Sequence, residues 1–334
     1  MSNAVITPAS SETPPRRALT TKPRLSDKIF RGVVTTGGLS SLAILGLIFA
    51  FLLSEGYQTI KSQGLYFLTG SNWVAVVKDS GQIDTAQSHF GIAAMMIGTL
   101  ICASIAVIIG VPISVLSAIF LTFYAPNSIK KVMISIIDLM AAFPSILFGL
   151  WGFFVLGPSA EYWARLLHKY LGFIPVFQVS ADFYSRSPFV AGVVLSVMII
   201  PIVTSISREI FAQTPLDRIQ AAYALGATRW AMIKNVAIPY SRGGIVGGTM
   251  LGLGRAMGET VAVYTVLNII YQINWHVLLG AGGNVASMIL LKFGEAGPAE
   301  VKALMAAGLS LFVVTLIVNS VADVIVNRAG KSGR

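Results

Sequence analysis

From Val33 to Leu53 the chain carries no charged residue, and apolar runs of comparable length recur at about 91–121, 132–156, 189–210, 243–271 and 303–326. A helix rising ~1.5 Å per residue needs about 20 such residues to cross ~30 Å of hydrocarbon. A membrane β-barrel would instead alternate apolar and polar residues over segments of about ten, which these continuous runs do not do. The expectation is an all-α, polytopic helical membrane protein with six transmembrane helices in one domain, 33–327. Composition agrees: 55% of residues are hydrophobic and 11% charged, where soluble domains carry about 25% charged residues.

The formal charge of +10 is a matter of placement more than of sum. With the N-terminus inside, sixteen of the 24 Lys and Arg residues fall in inner segments and seven in outer ones, with Arg255 alone inside a span. That asymmetry puts both termini in the cytoplasm of a multi-pass cell-membrane protein. No basic-aromatic module points to nucleic acid. Residues 1–32, with Pro8, Pro14, Pro15 and Pro23 among Ser, Thr and basic residues, read as a disordered tail. Residues 328–334 form a short basic tail. Cys102, the single cysteine, lies in an apolar run and reads as a small core residue.

Between the fourth and fifth runs, residues 213–242 are polar and basic. Thr214 is placed to cap a helix beginning at Pro215, and Leu216, Ile219, Gln220, Tyr223 and Ala224 follow at helical spacing. Gly226 should end that helix, Thr228 should cap a second one carrying Trp230, Ile233 and Lys234, and Pro239 should close the loop. An amphipathic pair lying on lipid would share this composition. The spacing Gln220-Ala221-Ala222, Gly226, Val236, Ile238-Pro239 resembles the EAA loop of ABC-importer permeases: Glu-Ala-Ala, three residues, Gly, nine residues, Ile, one residue, Leu-Pro. Gln220 replaces the acidic residue, Val236 the isoleucine and Ile238 the leucine. The resemblance implies a type I ABC-importer permease-like fold, with Gln220, Ala221, Ala222, Gly226 and Pro239 in a coupling element that docks on a cytoplasmic ATPase.

Within the fifth run, Arg255 is expected about twelve residues from the inner end, roughly 18 Å at helical rise and near the bilayer midplane. A charge there costs at least ~2.5 kcal/mol, so a partner or an aqueous path is required. Glu259, four residues on, is expected on the same helical face with Thr260 beside it, which leaves open an ion pair, a substrate path, or both. The seven glycines from Gly243 to Gly258 predict close helix contact. Asp138, Asn319 and Asp323 are read as reaching interfacial water, and Tyr66, Phe67, Trp73, Trp163, Tyr271 and Trp275 as an outer aromatic belt.

The segment Gly-Arg-Ala-Met-Gly-Glu-Thr (254–260) is similar to that of phosphate-specific ABC permeases, as are Ile97-Gly98-Thr99, Phe143-Pro144-Ser145 and the run from Ile199 to Glu209, and the external segment before Phe90 resembles the PstC type in that family. That resemblance implies Arg255, Glu259 and Thr260 on the pathway of inorganic phosphate. It implies a second, PstA-like permease subunit, a PstB-like ATPase dimer and an extracytoplasmic PstS-like phosphate-binding protein. ATP would be used by the partner, with no cofactor on this chain and no catalysis by it; the sequence contains no Gly-x-x-x-x-Gly-Lys-Ser/Thr loop. A permease for another oxyanion or small solute is the alternative. A gradient-driven carrier or intramembrane enzyme fits less well, because neither an inverted repeat nor a catalytic constellation occurs in the runs.

Overall fold

The computed structural model describes residues 25–76 and 87–331, with side chains to residue 324. Most of the expected N-terminal tail, the external charges Lys78, Asp79 and Asp84, and positions 332–334 lie outside these residues. The chain divides into two units, one ending at Ala50 and one beginning at Phe51.

Helix α1 (Leu25–Gln63) begins eight residues before the expected first span. Residues 25–32, assigned from their charge to the tail, continue the helix, with Asp27 in its first turn where the dipole favours a negative group. In the first unit this helix exposes nearly every side chain.

The second unit is built on α3 (Ala93–Ile119) and α7 (Pro188–Ala212), packed against each other. Small residues allow the approach. A Cβ at Gly110 would meet Ile199 at 2.9 Å, and Cys102, Ala103, Ala106, Ala191 and Val194 share one buried cluster. Ser114 Oγ donates to Gly110 O (2.7 Å) and to Ile200 O (3.2 Å), joining the helices within the apolar layer. Pro112 does not break α3, which runs on into a π turn at Phe120–Tyr124.

Helices α4 (Asn127–Ala141) and α5 (Ser145–Trp151) occupy the third run, and α5 continues through a π turn into α6 (Gly157–Leu171). The chain bends by 97° at the break after Ala141. Pro144 has no N–H and disfavours helical backbone in Phe143 before it, so Phe143-Pro144-Ser145 divides this run instead of merely kinking it. Beyond the third run, which the sequence ends at about 156, Gly157–Leu171 is still helical.

Helix α8 (Leu216–Ala224) and α9 (Arg229–Met232) make up the loop, and α10 (Ile238–Met257) follows through a π turn at Ile233–Ala237. The expected fifth span ends early, at Met257; a one-and-a-half-turn helix, α11 (Val261–Val266), comes after the break. The region expected as the last external segment returns to the core as α12 (Val285–Phe293) before α13 (Pro298–Lys331). Val285, Ser287 and Met288 are buried there.

Between α1 and α3 lie α2 (Tyr66–Thr69) and two two-residue strands, β1 (Trp73–Val74) and β2 (His89–Phe90), which pair Trp73 with Phe90. Phe67 and Trp73 are core residues, not part of an interfacial belt: Phe67 is fully buried, and Trp73 Nε1 donates to Glu300 Oε1 at 2.7 Å. Trp163 and Trp275 are exposed, as a belt requires.

Among the described residues four helices are long and apolar enough to cross a membrane: Leu25–Gln63, Ala93–Tyr124, Pro188–Ala212 and Pro298–Val324. The bent α4 and α5–α6 pair makes a fifth if it is one span. The 20 residues of α10 are long enough, but glycine and Arg255 dilute its apolar character.

Candidate functional site: a broken helix and a polar loop

Two places carry the residues singled out above. In the loop, one face of α8 is anchored: Ile219 and Ala222 pack on Ala118, Ile119, Phe211, Met232 and Ile233. The opposite face presents Gln220 and Ala221 to solvent, with Leu216, Tyr223, Leu225 and Trp230 exposed nearby. Gly226 has φ +79°, in the left-handed region that favours glycine. Gly226 N donates to Tyr223 O (2.9 Å) and Ala227 N to Ala222 O (3.1 Å), so the helix closes in a Schellman turn. Thr228 Oγ1 accepts from Ala231 N at 3.2 Å, as its spacing predicts.

Two expectations fail locally. Thr214 does not cap α8; its buried hydroxyl has no partner among the described residues, and Pro215 O accepts from Arg218 N and Ile219 N in its place. Nor does Pro239 close the loop. Lacking an N–H, it sits in the first turn of α10 behind the π turn, so α9 runs into α10 with no interruption.

The glycines of α10 serve two faces. A Cβ at Gly248 would meet Ile206 at 3.0 Å and one at Gly252 would meet Val203 at 2.8 Å, so this face seats directly on α7. At Gly243, Gly247 and Gly254 the space is open.

Arg255 stands in the last turn of α10, where the negative end of the helix dipole favours a cation. Because the helix ends at Met257, Glu259 does not share a face with Arg255, and among the described residues no ion pair joins them. Glu259 is instead a cap: its buried carboxylate accepts from Ala262 N at 3.1 Å, fixing the start of α11. Arg255 is half-buried, and its Nε is buried without a hydrogen-bond partner. A buried donor without a partner among the described residues is uncommon in a folded chain. Thr260 Oγ1 donates to Gly258 O at 3.3 Å, inside the break.

The break itself is held by residues that the sequence reading missed. Asn284 Nδ2 donates to Glu259 O (2.8 Å), Ser287 Oγ donates to Thr260 O (2.9 Å), and Asn284 Oδ1 accepts from Ser287 N (2.6 Å). Thr99 Oγ1 accepts from Val285 N at 3.1 Å, which gives Ile97-Gly98-Thr99 its role as a seat for the returning chain. A legible signal was present, since Asn284 directly before an apolar helical run is a cap signature. Among the described residues no group of His, Cys, Asp and Glu is placed to hold a metal ion.

Residues 110–331 match the family described as binding-protein-dependent transport system inner membrane component. The chain is 39% identical over 308 residues to a protein named phosphate transport system permease protein PstC 2 from Mycobacterium tuberculosis, covering 90% of this chain and 92% of that one. To the PstC phosphate transport permease of Haemophilus influenzae it is 37% identical over 298 residues, 87% and 90% of the two chains. A crystal structure of a bacterial alginate ABC transporter, bound to its pentasaccharide-loaded periplasmic protein, matches in fold with a TM-score of 0.57 at 15% identity, over 92% of this chain and 99% of that one.

Proposed function

The chain belongs to the binding-protein-dependent transport system inner membrane components and is a permease subunit of an ABC importer, not an enzyme, and we propose that it moves inorganic phosphate past Arg255. Its apolar helices make it a multi-pass membrane protein. The observation that carries the substrate reading is the unpaired guanidinium at the end of α10, beside a carboxylate already committed to a cap. Phosphate carries one to two negative charges, and crossing a low-dielectric constriction needs a compensating cation that keeps its proton; arginine does. Glu259 and Thr260 shape the break that presents it.

The exposed face of α8, with Gln220, Ala221 and the Gly226 turn, is the docking surface for a cytoplasmic ATPase, which uses the ATP. A second permease subunit completes the pore and a phosphate-binding receptor delivers from the other side. Both termini are cytoplasmic on the charge count, and residues 33–327 make up the permease domain. Phosphate uptake in a strain lacking this chain, with sulfate and molybdate as controls, tests the substrate; restoration of sulfate uptake alone would refute it. Single cysteines at Asn72, Ser180 and Ala227 in a Cys102→Ser background test the orientation. The first two should react with an impermeant maleimide in intact cells, and labelling at Ala227 from outside would invert the arrangement.

A further inference from the structure

Arg186, just ahead of α7, is the single described non-glycine residue with positive φ, at 57°. Left-handed backbone at a long side chain persists only where the surroundings impose it. Here Asn268 N donates to Arg186 O at 3.2 Å, and the guanidinium lies over the Phe153 ring at 5.0 Å from its centre. Arg186 lines two cavities at once. One, of about 450 Å³, is also lined by Phe153, Tyr264, Thr265 and Asn268; the other, of about 430 Å³, by Phe153, Glu161 and Ser185.

The charge balance of these cavities points one way. The first contains no carboxylate, so its polar lining is one cation with neutral hydroxyl and amide groups. In the second, Glu161 is held by Arg165 at 2.8 Å. Arg186 and Tyr264 are exposed, and among the described residues the guanidinium and the hydroxyl make no hydrogen bond or ion pair, so both are open to a ligand in the cavity. The cavity also adjoins the proposed pathway in sequence. Tyr264, Thr265 and Asn268 belong to α11 and the residues after it, and α11 starts at the Glu259 cap and advances only about 9 Å at helical rise.

We propose that the Arg186 cavity is a second phosphate site in series with Arg255, a resting place for the anion on the outer side of the helix break. This rests on the phosphate reading of Arg255. A guanidinium among apolar side chains would also suit a lipid phosphate diester; the shared chemistry is a phosphate oxyanion, and the source separates by measurement. The complete importer, reconstituted in lipid vesicles with its receptor, is assayed for phosphate moved per ATP hydrolysed. Arg186→Gln and Arg186→Gly should lower that ratio by about tenfold, the weight of one charge-assisted contact, while the assembled complex forms normally. Arg186→Lys should retain part of it. Arg186→Gly also relaxes the left-handed backbone, so a wild-type ratio in that variant would overturn the site. An unchanged ratio with less assembled complex, the result expected of a lipid anchor, would overturn it as well. A wild-type importer that moves no phosphate would overturn the reading of Arg255 together with this one, whereas normal wild-type transport with an unaltered Arg186→Gln variant would overturn this one alone.

Discussion

The 213–242 loop and the segment from Arg255 to Ser287 are both irregular stretches joining helices, yet they are held together differently. In the loop the hydrogen bonds that set the turn each span a few residues, Thr228 to Ala231, Gly226 to Tyr223 and Ala227 to Ala222, while Ile219 and Ala222 hold it to α3 and α7 by apolar packing. In the Arg255–Ser287 segment the key contacts run from Asn284 to Glu259, from Ser287 to Thr260 and from Val285 to Thr99. A turn closed by local hydrogen bonds keeps its own shape whatever is docked on its exposed face. The broken helix keeps its shape only while α3 and α12 stay in place. That contrast suits a docking lug in the first case and a fixed charge in the second.

The contrast can be broken most forcefully at Arg255. Arg255→Gln should cut phosphate uptake by about a hundredfold or more, the scale on which one preorganised charged group acts in an apolar setting, while the complex still assembles. Glu259→Gln should cost far less, because the glutamine carbonyl can still accept from Ala262 N. With no ion pair between the two, their effects on assembly should add to within about 0.5 kcal/mol. Rescue of assembly in the double variant would show a pair that this geometry does not contain.

Asn284→Ala comes next. It removes a cap and leaves Glu259 O unpaired in the core, a loss of about 2–3 kcal/mol. Thermal unfolding of the purified complex should shift downward, and uptake should fall with it because the break loses its brace. Gly226→Val should cost about 1–2 kcal/mol through left-handed strain, but its effect should stay local. The protein should remain inserted, with reduced co-purification of the ATPase; ATPase recovery at wild-type yield would remove the loop from the coupling role. The smallest effects sharpen the capping assignment. Thr228→Ala should lower stability by about 1 kcal/mol, whereas Thr214→Val should be close to neutral, since its buried hydroxyl has no partner among the described residues. Equal losses in the two variants would contradict the caps seen here.

Much of the loop was legible in residue order. Gly226 as a left-handed stop and Thr228 as a cap follow from backbone sterics and from the four unpaired N–H groups at a helix start, which are properties of a few neighbouring residues. Thr214 shows the limit of that reasoning, because a suitable side chain at the right spacing is buried and does not reach the N–H groups of α8. The apolar runs likewise announced spanning helices, and positions 143–145 announced a break, though not a 97° bend.

Sequence by itself determined the membrane class and the place of the loop, because hydrocarbon demands long apolar helices and leaves polar, basic stretches outside it. Only the tertiary structure decided that Arg255 and Glu259 are not a pair. Spacing of four residues puts two side chains on one face only if the helix continues, and here it stops at Met257. The fate of the residues around Asn284 was decided the same way. Their polar groups cannot remain unpaired in an apolar layer, and the partners that satisfy them lie on α3 and in the break after α10, at separations no local pattern encodes.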